Sequence, residues 1–353
     1  MLVTLNDIAI KAGVSVTTVS RVLNNKHEKY RISAETKTLV MQAAKELDYR
    51  PNLLARGLRL KRTHTIGIIV PDISNPFFAF VTHMLQMFIY QHGYSLIVCS
   101  TNEDIKTEIE QIELLKSKGI DGFVIMPVGT THNHIDDLLG EDKPVVLLDR
   151  CFNDININAV VVDNYTGAFR AIEHIIQNGH TKIAIIQGLL NTYTNNERLK
   201  GYREALKKHN IKINTDYIVG NDFRKENGYI ETKLLLKMEN PPTAIFTTSD
   251  LITLGALQAL FEGNCKIPED VSLVAFDDID FAPYLMAPLT LVRQPKELIA
   301  ETAGKLLIED IKTKGKKEKK KIVLMPELIV RNSVKNLFEK RQSQKYEAEA
   351  LLK

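Results

Sequence analysis

A chain of 353 residues, 44% of them hydrophobic, is too long for one small domain and apolar enough to fill substantial cores, so two or three domains are expected. The net charge of +3 is unevenly spread: residues 1–62 hold 12 Lys and Arg against 5 Asp and Glu, and the remainder is acidic by four. No apolar run is long enough to span a bilayer and no charged leader precedes the first motif, which excludes a membrane span and points to the cytoplasm.

The first predicted element pair lies in Thr4–Asn24, TLNDIAIKAGVSVTTVSRVLN. Thr4 and Asp7 have the spacing of a capping box, Ala9 permits a close helix crossing, and Gly13 suits the positive φ of a tight turn. Ser15 then caps a second helix on which Val19, Val22 and Leu23 face inward, leaving Val16, Thr17, Ser20, Arg21 and Asn24 outward. The pattern predicts a helix-turn-helix rather than an ordinary helical hairpin, because its outward face is polar and basic. Such a face suits base edges and phosphates of a major groove, with Arg21 able to grip a guanine bidentately. The basic excess of the same segment supplies attraction to a polyanion.

A loop from Asn25 to Arg31 leads to Ser33, which caps a third helix running to about Asp48, with Leu39, Val40, Ala43, Ala44 and Leu47 inward. In YRPNLLARGLRLKRTH, Pro51 breaks the chain and Asn52 caps a short helix that cannot bury its apolar side alone, as expected of a hinge. From Thr65 the texture changes to short apolar runs alternating with amphipathic helices, the signature of βαβ units and parallel sheets. Strands are predicted at TIGIIV, YSLIVCS, DGFVIMP, PVVLLD, AVVVD, KIAIIQG, TAIFTT and VSLVAFD. Helices are predicted near Phe77–His92, Asp104–Lys118, Tyr165–Asn178, Asn195–His209, Lys225–Lys237 and Asp250–Phe261. Two doubly wound lobes follow, with a ligand cleft where the C-terminal strand ends of both lobes meet.

Four further features carry plain readings. KTKGKKEKKK, Lys312–Lys321, precedes a strand KIVLM and reads as a solvated connection rather than a second nucleic-acid patch. His132 and His134 in THNH have no acidic or Cys partner at metal-ligand spacing and read as surface histidines, so no metal site and no cofactor are expected. Cys99, Cys151 and Cys265 form no C-x-x-C pair and read as buried free thiols. The tail from Phe338 has too little apolar repetition for a coiled-coil seam that would join two dimers.

Taken in order, AGVSVTTVSRVLN, YRPNLLARGL, IGIIVPDISNPFF, ERLKGYREAL, DVSLVAFDD and RQP resemble the transcription regulators of the lactose-repressor (LacI/GalR) family, over residues 4 to about 333. The resemblance implies an N-terminal all-α helix-turn-helix headpiece at residues 1–50, with a hinge helix and linker at 51–63. It implies a two-lobed α/β core with parallel sheets at 64–333, like periplasmic sugar-binding proteins, and a C-terminal tail at 334–353. Lobe 1 would comprise about 64–162 and 292–322, and lobe 2 about 163–291 and 323–333. It further implies a homodimer that binds a near-palindromic double-stranded operator, senses a small-molecule effector and is not an enzyme.

By the same resemblance, Val16, Thr17 and Arg21 match base-reading positions, and Ser15, Ser20, Asn24 and Tyr49 match positions that hold phosphates. Leu58 matches a leucine wedged into the minor groove, flanked by Ala55 and Arg59, although Gly57 weakens the hinge helix by about 1 kcal/mol relative to Ala. The loop NKHEKYRI is longer than the family's usual connection, and Lys26, Lys29 and Arg31 are placed for extra backbone contacts. Effector positions are Asp72, Asn75, Phe77, Phe78, Asp149, Arg150, Thr192, Thr194, Arg198, Phe223, Asp250 and Asp277. Carboxylates and guanidinium groups bind vicinal hydroxyls and a Phe face covers a sugar ring, so the resemblance points to a sugar, sugar acid or sugar phosphate and to a repressor of carbohydrate-utilisation genes. A protein co-repressor remains the alternative control. A sugar-binding module without DNA function is disfavoured by the basic headpiece. An enzyme is disfavoured by the lack of a phosphate-cradling Gly-rich loop and of a nucleophile with a positioned base.

Overall fold

The computed structural model describes residues 3–49, 62–313 and 318–338. The chain divides into two compact units, Met1–Thr63 and His64–Lys353. The hinge positions Ala55, Leu58 and Arg59, together with Gly57, lie outside the described residues.

In the first unit α1 (Leu5–Ala12) begins at a capping box in which Thr4 and Asp7 exchange side-chain and backbone bonds, and it ends at Gly13 with φ 65°. Ser15 caps α2 (Val16–Leu23) by accepting from Thr18 N, and Ser33 caps α3 (Ala34–Glu46) by accepting from Thr36 N. Ile8, Ala9, Val19, Val22, Val40, Ala43 and Ala44 close a small core, with Leu23, Ile32, Leu47 and Tyr49 packed around it. Leu39 departs from expectation: it is exposed. Val40, Ala43, Ala44 and Leu47 define the inward stripe, and Leu39 lies about a quarter-turn from its centre.

The second unit holds two six-stranded sheets. The first comprises β1 (Thr65–Val70), β2 (Ser95–Ser100), β3 (Gly122–Ile125), β4 (Val145–Leu148), β5 (Asn158–Val162) and a late strand β11 (Lys321–Leu324). Its order is β11-β5-β4-β3-β1-β2, all parallel. The second comprises β6 (Ile183–Ile186), β7 (Ile218–Val219), β8 (Ala244–Thr247), β9 (Ser272–Phe276), β10 (Thr290–Arg293) and β12 (Glu327–Ile329). Its order, β12-β10-β9-β8-β6-β7, repeats that of the first, and only β12 runs antiparallel. Strands of this kind are apolar on both faces because helices cover both, and β1, β3, β4, β5, β8 and β9 are buried almost throughout.

The helices of lobe 1 are α4 (Pro76–Gln91), α5 (Ile105–Ser117), α6 (Asn133–Gly140) and, after the return from lobe 2, α11 (Lys296–Thr313). Those of lobe 2 are α7 (Asn164–Gln177), α8 (Tyr193–Lys208), α9 (Lys225–Leu236) and α10 (Asp250–Glu262). The expected crossovers at about 291/292 and 322/323 fall inside β10 and β11, which run to Arg293 and Leu324 with their own sheets, since a strand cannot leave its ladder midway. Val334 packs on the lobe 2 core and Leu337 N donates to Asn178 O, so the chain is still held by that lobe beyond 333.

Two plain readings are corrected, while the basic run keeps its solvated reading at Lys312, Glu318, Lys320 and Lys321, all exposed. His134 is no surface group: its Nε2 lies 2.7 Å from Oε1 of the fully buried Glu108, whose other oxygen accepts from Val128 N. His132 is likewise engaged, with Asp136 at 2.7 Å and Asp154 at 3.2 Å. These carboxylates come from the helix turn one step on and from distant segments, where linear spacing does not display them. Lys319, from the basic run, pairs with the buried Asp310 at 2.8 Å. Cys99 and Cys151 are buried free thiols, whereas Cys265 is only half-buried.

Candidate nucleic-acid interface and ligand cleft

On the first unit, Val16 and Thr17 stand exposed at the start of α2, with Ser20, Arg21 and Asn24 half-exposed one and two turns on. Together with Leu5, Lys26 and Tyr30 they line one hollow of about 320 Å³. Ser15 spends its hydroxyl on Thr18, and Asn24 Nδ2 donates to Ser20 O at 2.6 Å, so both fix the ends of the helix. Tyr49 is half-buried against the headpiece core, on a different hollow from α2's outward face, beside Lys37, Gln42 and Lys45. The helix N-terminus carries unsatisfied N–H groups and a positive dipole end, which suits a phosphate.

On the second unit, the strand ends of both lobes meet around a cavity of about 30 Å³ lined by Asn75, Phe77, Phe78, Asp149, Arg150, Thr194, Arg198, Phe223 and Asp277, with Ser249 and Gln294. Nine of the twelve expected effector positions are thus brought together. Asp250 stands just behind them, accepting from Asn75 Nδ2 at 3.2 Å and so joining the lobes. Asp72 instead turns its carboxylate onto Ser74, and Thr192 donates to Leu189 O; both finish local turns away from the cavity.

Two aspartates form the polar floor. Asp149 after β4 and Asp277 after β9 occupy equivalent places in the two sheets, and both adopt positive φ, 64° and 81°. That conformation is uncommon for a non-Gly residue and concentrates at functional sites. Arg150 gives Nη1 and Nη2 to Glu103 at 2.7 and 2.6 Å, and its Nε has no hydrogen-bond partner. Arg198 gives Nε to Asn164 Oδ1 at 2.8 Å and Nη1 to Thr248 O, with its guanidinium 3.8 Å from the Phe276 ring centre. Gln294 donates to Asp277 Oδ1 at 2.5 Å and leaves its Oε1 without a partner. Phe223 reaches the cleft only because Gly188 lacks a side chain: a Cβ there would overlap its ring.

Burial dominates the electrostatics. It raises Asp149 to about 6 against the pull of Arg150 and Arg198, and raises Asp250 to about 6 with a further push from Asp277. Burial also lowers Arg198; it pulls Arg150 the same way, but the hydrogen bonds and charge of Glu103, with Asp149 and Glu108, together raise it. For Asp149 the folded pKa lies above the ordinary value of 3.8, so its ionised form costs stability above pH 6, and the cost fades as pH falls toward 4. A rise of that size corresponds to about 3 kcal/mol. Asp149→Asn, which tolerates the positive φ, is therefore expected to raise the thermal midpoint by several degrees at pH 7.5 and by less at pH 5. A midpoint lowered at both pH values would show the carboxylate to be a net stabiliser.

Ser249, Gln294, Glu103 and Asn164 are the participants that sequence reading missed. Gln294 alone had a signal, the RQP motif; Glu103 and Asn164 reach the cleft by pairings 47 and 34 residues away in sequence, and Ser249 by capping a helix.

Comparison with known proteins matches residues 4–52 to the model of bacterial regulatory proteins of the lacI family. Residues 63–332 match that of periplasmic binding proteins and the sugar binding domain of the LacI family. The HTH-type transcriptional repressor PurR of Histophilus somni (strain 2336) is 36% identical over 336 residues, covering 95% of this chain and 99% of that protein. A lac repressor dimer bound to operator and the anti-inducer ONPF superposes with a TM-score of 0.83 at 25% identity, covering 95% of this chain and 100% of that one. A transcriptional regulator CelR–cellobiose complex superposes with a TM-score of 0.71 at 29% identity, covering 94% and 99%. A LacI family regulator from Enterococcus faecium with bound ribose gives 0.70 at 29%, covering 77% and 99%.

Proposed function

The chain belongs to the LacI family of DNA-binding transcriptional repressors, and from that premise we propose that it acts in the cytoplasm as a homodimer whose operator affinity is set by a neutral polyhydroxylated effector in the cleft. Base reading falls to Val16, Thr17 and Arg21, and phosphate contacts to Ser15, Ser20, Asn24 and Tyr49. The dimer reading is supported by apolar residues left exposed on lobe 2: Ile230 and Leu234 one turn apart on α9, Phe261 on α10, and Tyr284 and Met286 beyond β9. A second copy of the same surface would cover them.

The commitment of the guanidinium groups carries the effector reading. Arg150 has both terminal nitrogens on Glu103, Arg198 is tied to Asn164 and Thr248, and three buried aspartates outnumber the two cations. An added anion, as in a sugar acid or phosphate, meets guanidinium groups that are largely committed, with Arg150 Nε and one terminal nitrogen of Arg198 left over, and an excess of negative charge. Hydroxyls, in contrast, donate to Asp149 and Asp277 and accept from Arg150 Nε, while Phe77, Phe78 and Phe223 supply apolar faces. The CelR relative solved with cellobiose and the Enterococcus relative solved with ribose fit this class. A flat heterocycle is the second reading, favoured by the three rings beside Arg150 Nε and Gln294 Oε1, neither of which makes a hydrogen bond. A cavity of 30 Å³ holds little more than one water, so either ligand must part the lobes to enter.

The test is a thermal-shift screen of the full chain against neutral sugars, sugar acids, sugar phosphates and nucleobases. Neutral sugars are expected to raise the midpoint, by about 2.7 kcal/mol of stability at a hundred times Kd. Shifts confined to acids and phosphates would overturn the charge argument, and shifts confined to nucleobases would favour the second reading. No shift from any ligand, with operator binding intact, would favour a protein co-repressor.

A further inference from the structure

We infer that Tyr30, in the loop between α2 and α3, is a specificity-determining residue of the DNA-reading surface, because its ring holds the Arg21 guanidinium in position to read a base edge. The Cζ of Arg21 lies 3.9 Å from the centre of the Tyr30 ring. A guanidinium stacked on an aromatic face keeps its N–H donors in its own plane, pointing away from the ring, so stacking restrains the group without consuming the donors. No side-chain hydrogen bond or ion pair of Arg21 is found among the described residues. Tyr30 is 43% exposed and lines the same hollow as Val16, Thr17, Ser20 and Asn24, so the stack stands on the reading face.

The loop that presents the ring is fastened at both ends. Lys26 N donates to Arg21 O at 2.9 Å, Tyr30 N to Lys26 O at 3.2 Å, and Ile32 N to His27 O at 2.9 Å. His27 meets Lys37 of α3 at 3.0 Å, and Ile32 packs against the headpiece core. Asn25 and Arg31 adopt positive φ, 53° and 50°, at the two corners. Arg31 gains nothing from that conformation itself, so the surrounding bonds hold it there. A long, rotamer-rich side chain otherwise loses much of its freedom on docking; one already stacked loses less, and a bidentate contact depends on that orientation.

The inference rests on the reading of Arg21 as a base reader, and the test separates the two. Full-length protein first selects its preferred duplex from a random-sequence library. Affinities are then measured for that duplex and for every single base-pair change in one half-site. Tyr30→Ala is expected to weaken the selected duplex about two- to fivefold. It should also flatten discrimination at the same base pair where Arg21→Ala flattens it. Tyr30→Phe, which keeps the π face, should match the natural protein, whereas Tyr30→Leu, which keeps bulk without it, should match Tyr30→Ala. In an Arg21→Ala background Tyr30→Ala should add nothing. Equal weakening of all duplexes with discrimination kept, or additive losses in the double variant, would overturn the role of Tyr30 while leaving Arg21 as reader. Arg21→Ala with full discrimination at every position would remove the base-reader reading itself and Tyr30's role with it.

Discussion

Binding of the full-length protein to its operator duplex is expected to weaken about a thousandfold or more between 50 and 200 mM salt. Each chain brings an excess of seven positive charges within residues 1–62, which the proposed dimer would bring twice. Neutralising six to ten phosphates releases condensed counterions, and a loss of about 10³ to 10⁵ in affinity over that range follows. The remainder of the chain is acidic by four and contributes repulsion, so the dependence belongs to the first unit. Lys26, Lys29 and Arg31 in the α2–α3 loop are part of that excess. Titrating labelled duplex at four or five salt concentrations gives the slope directly, and a nearly flat line would refute the proposed polyanion-binding face.

The parts of this architecture that were legible in sequence are those whose determinants are local. Thr4 with Asp7, Ser15 and Ser33 each cap a helix within three residues, and Gly13 answers a positive φ at one position. Runs such as TIGIIV and VSLVAF announce buried strands because both sheet faces are covered, and strand ends then locate the cleft. What failed depended on distance or on brevity. β7 and β12 have two and three residues and present no period to read. The helices α6 and α11 were absent from the expected elements; α11 buries a broad face from Ile299 to Ile311 that includes Gly304 and the charged Asp310, which blur its apolar period. Glu108 beneath His134, Glu103 on Arg150 and Asn164 on Arg198 are pairings that only the folded chain creates. Asp72 and Thr192 had the right chemistry at the right strand ends, yet each was captured by its own turn.

Replacing Arg198 or Asp277 is expected to abolish the effector response while operator binding survives. Asp277 sits at the end of β9 with positive φ, holds Gln294 through one oxygen and lines the cleft; Arg198 lines it from α8 and is braced by Asn164, Thr248 and the Phe276 ring. A ligand shifts the lobe equilibrium only through contacts that differ between the lobe arrangements, and these groups supply such contacts from lobe 2. Losing one partner of a buried charge-assisted bond costs about 2 kcal/mol or more, so effector affinity should fall about thirtyfold or further. Arg198 is buried among Asp149, Asp250 and Asp277, so Arg198→Ala also leaves carboxylates uncompensated. Arg198→Lys keeps the charge without the planar fork, and Asp277→Ala removes the carboxylate from the other side. If the ligand releases the natural protein from DNA, these variants repress permanently; if it tightens binding, they never repress. Operator affinity with and without the ligand identified by screening is the measurement, and a full response in both Arg198→Lys and Asp277→Ala would rule out this cleft as the sensing site.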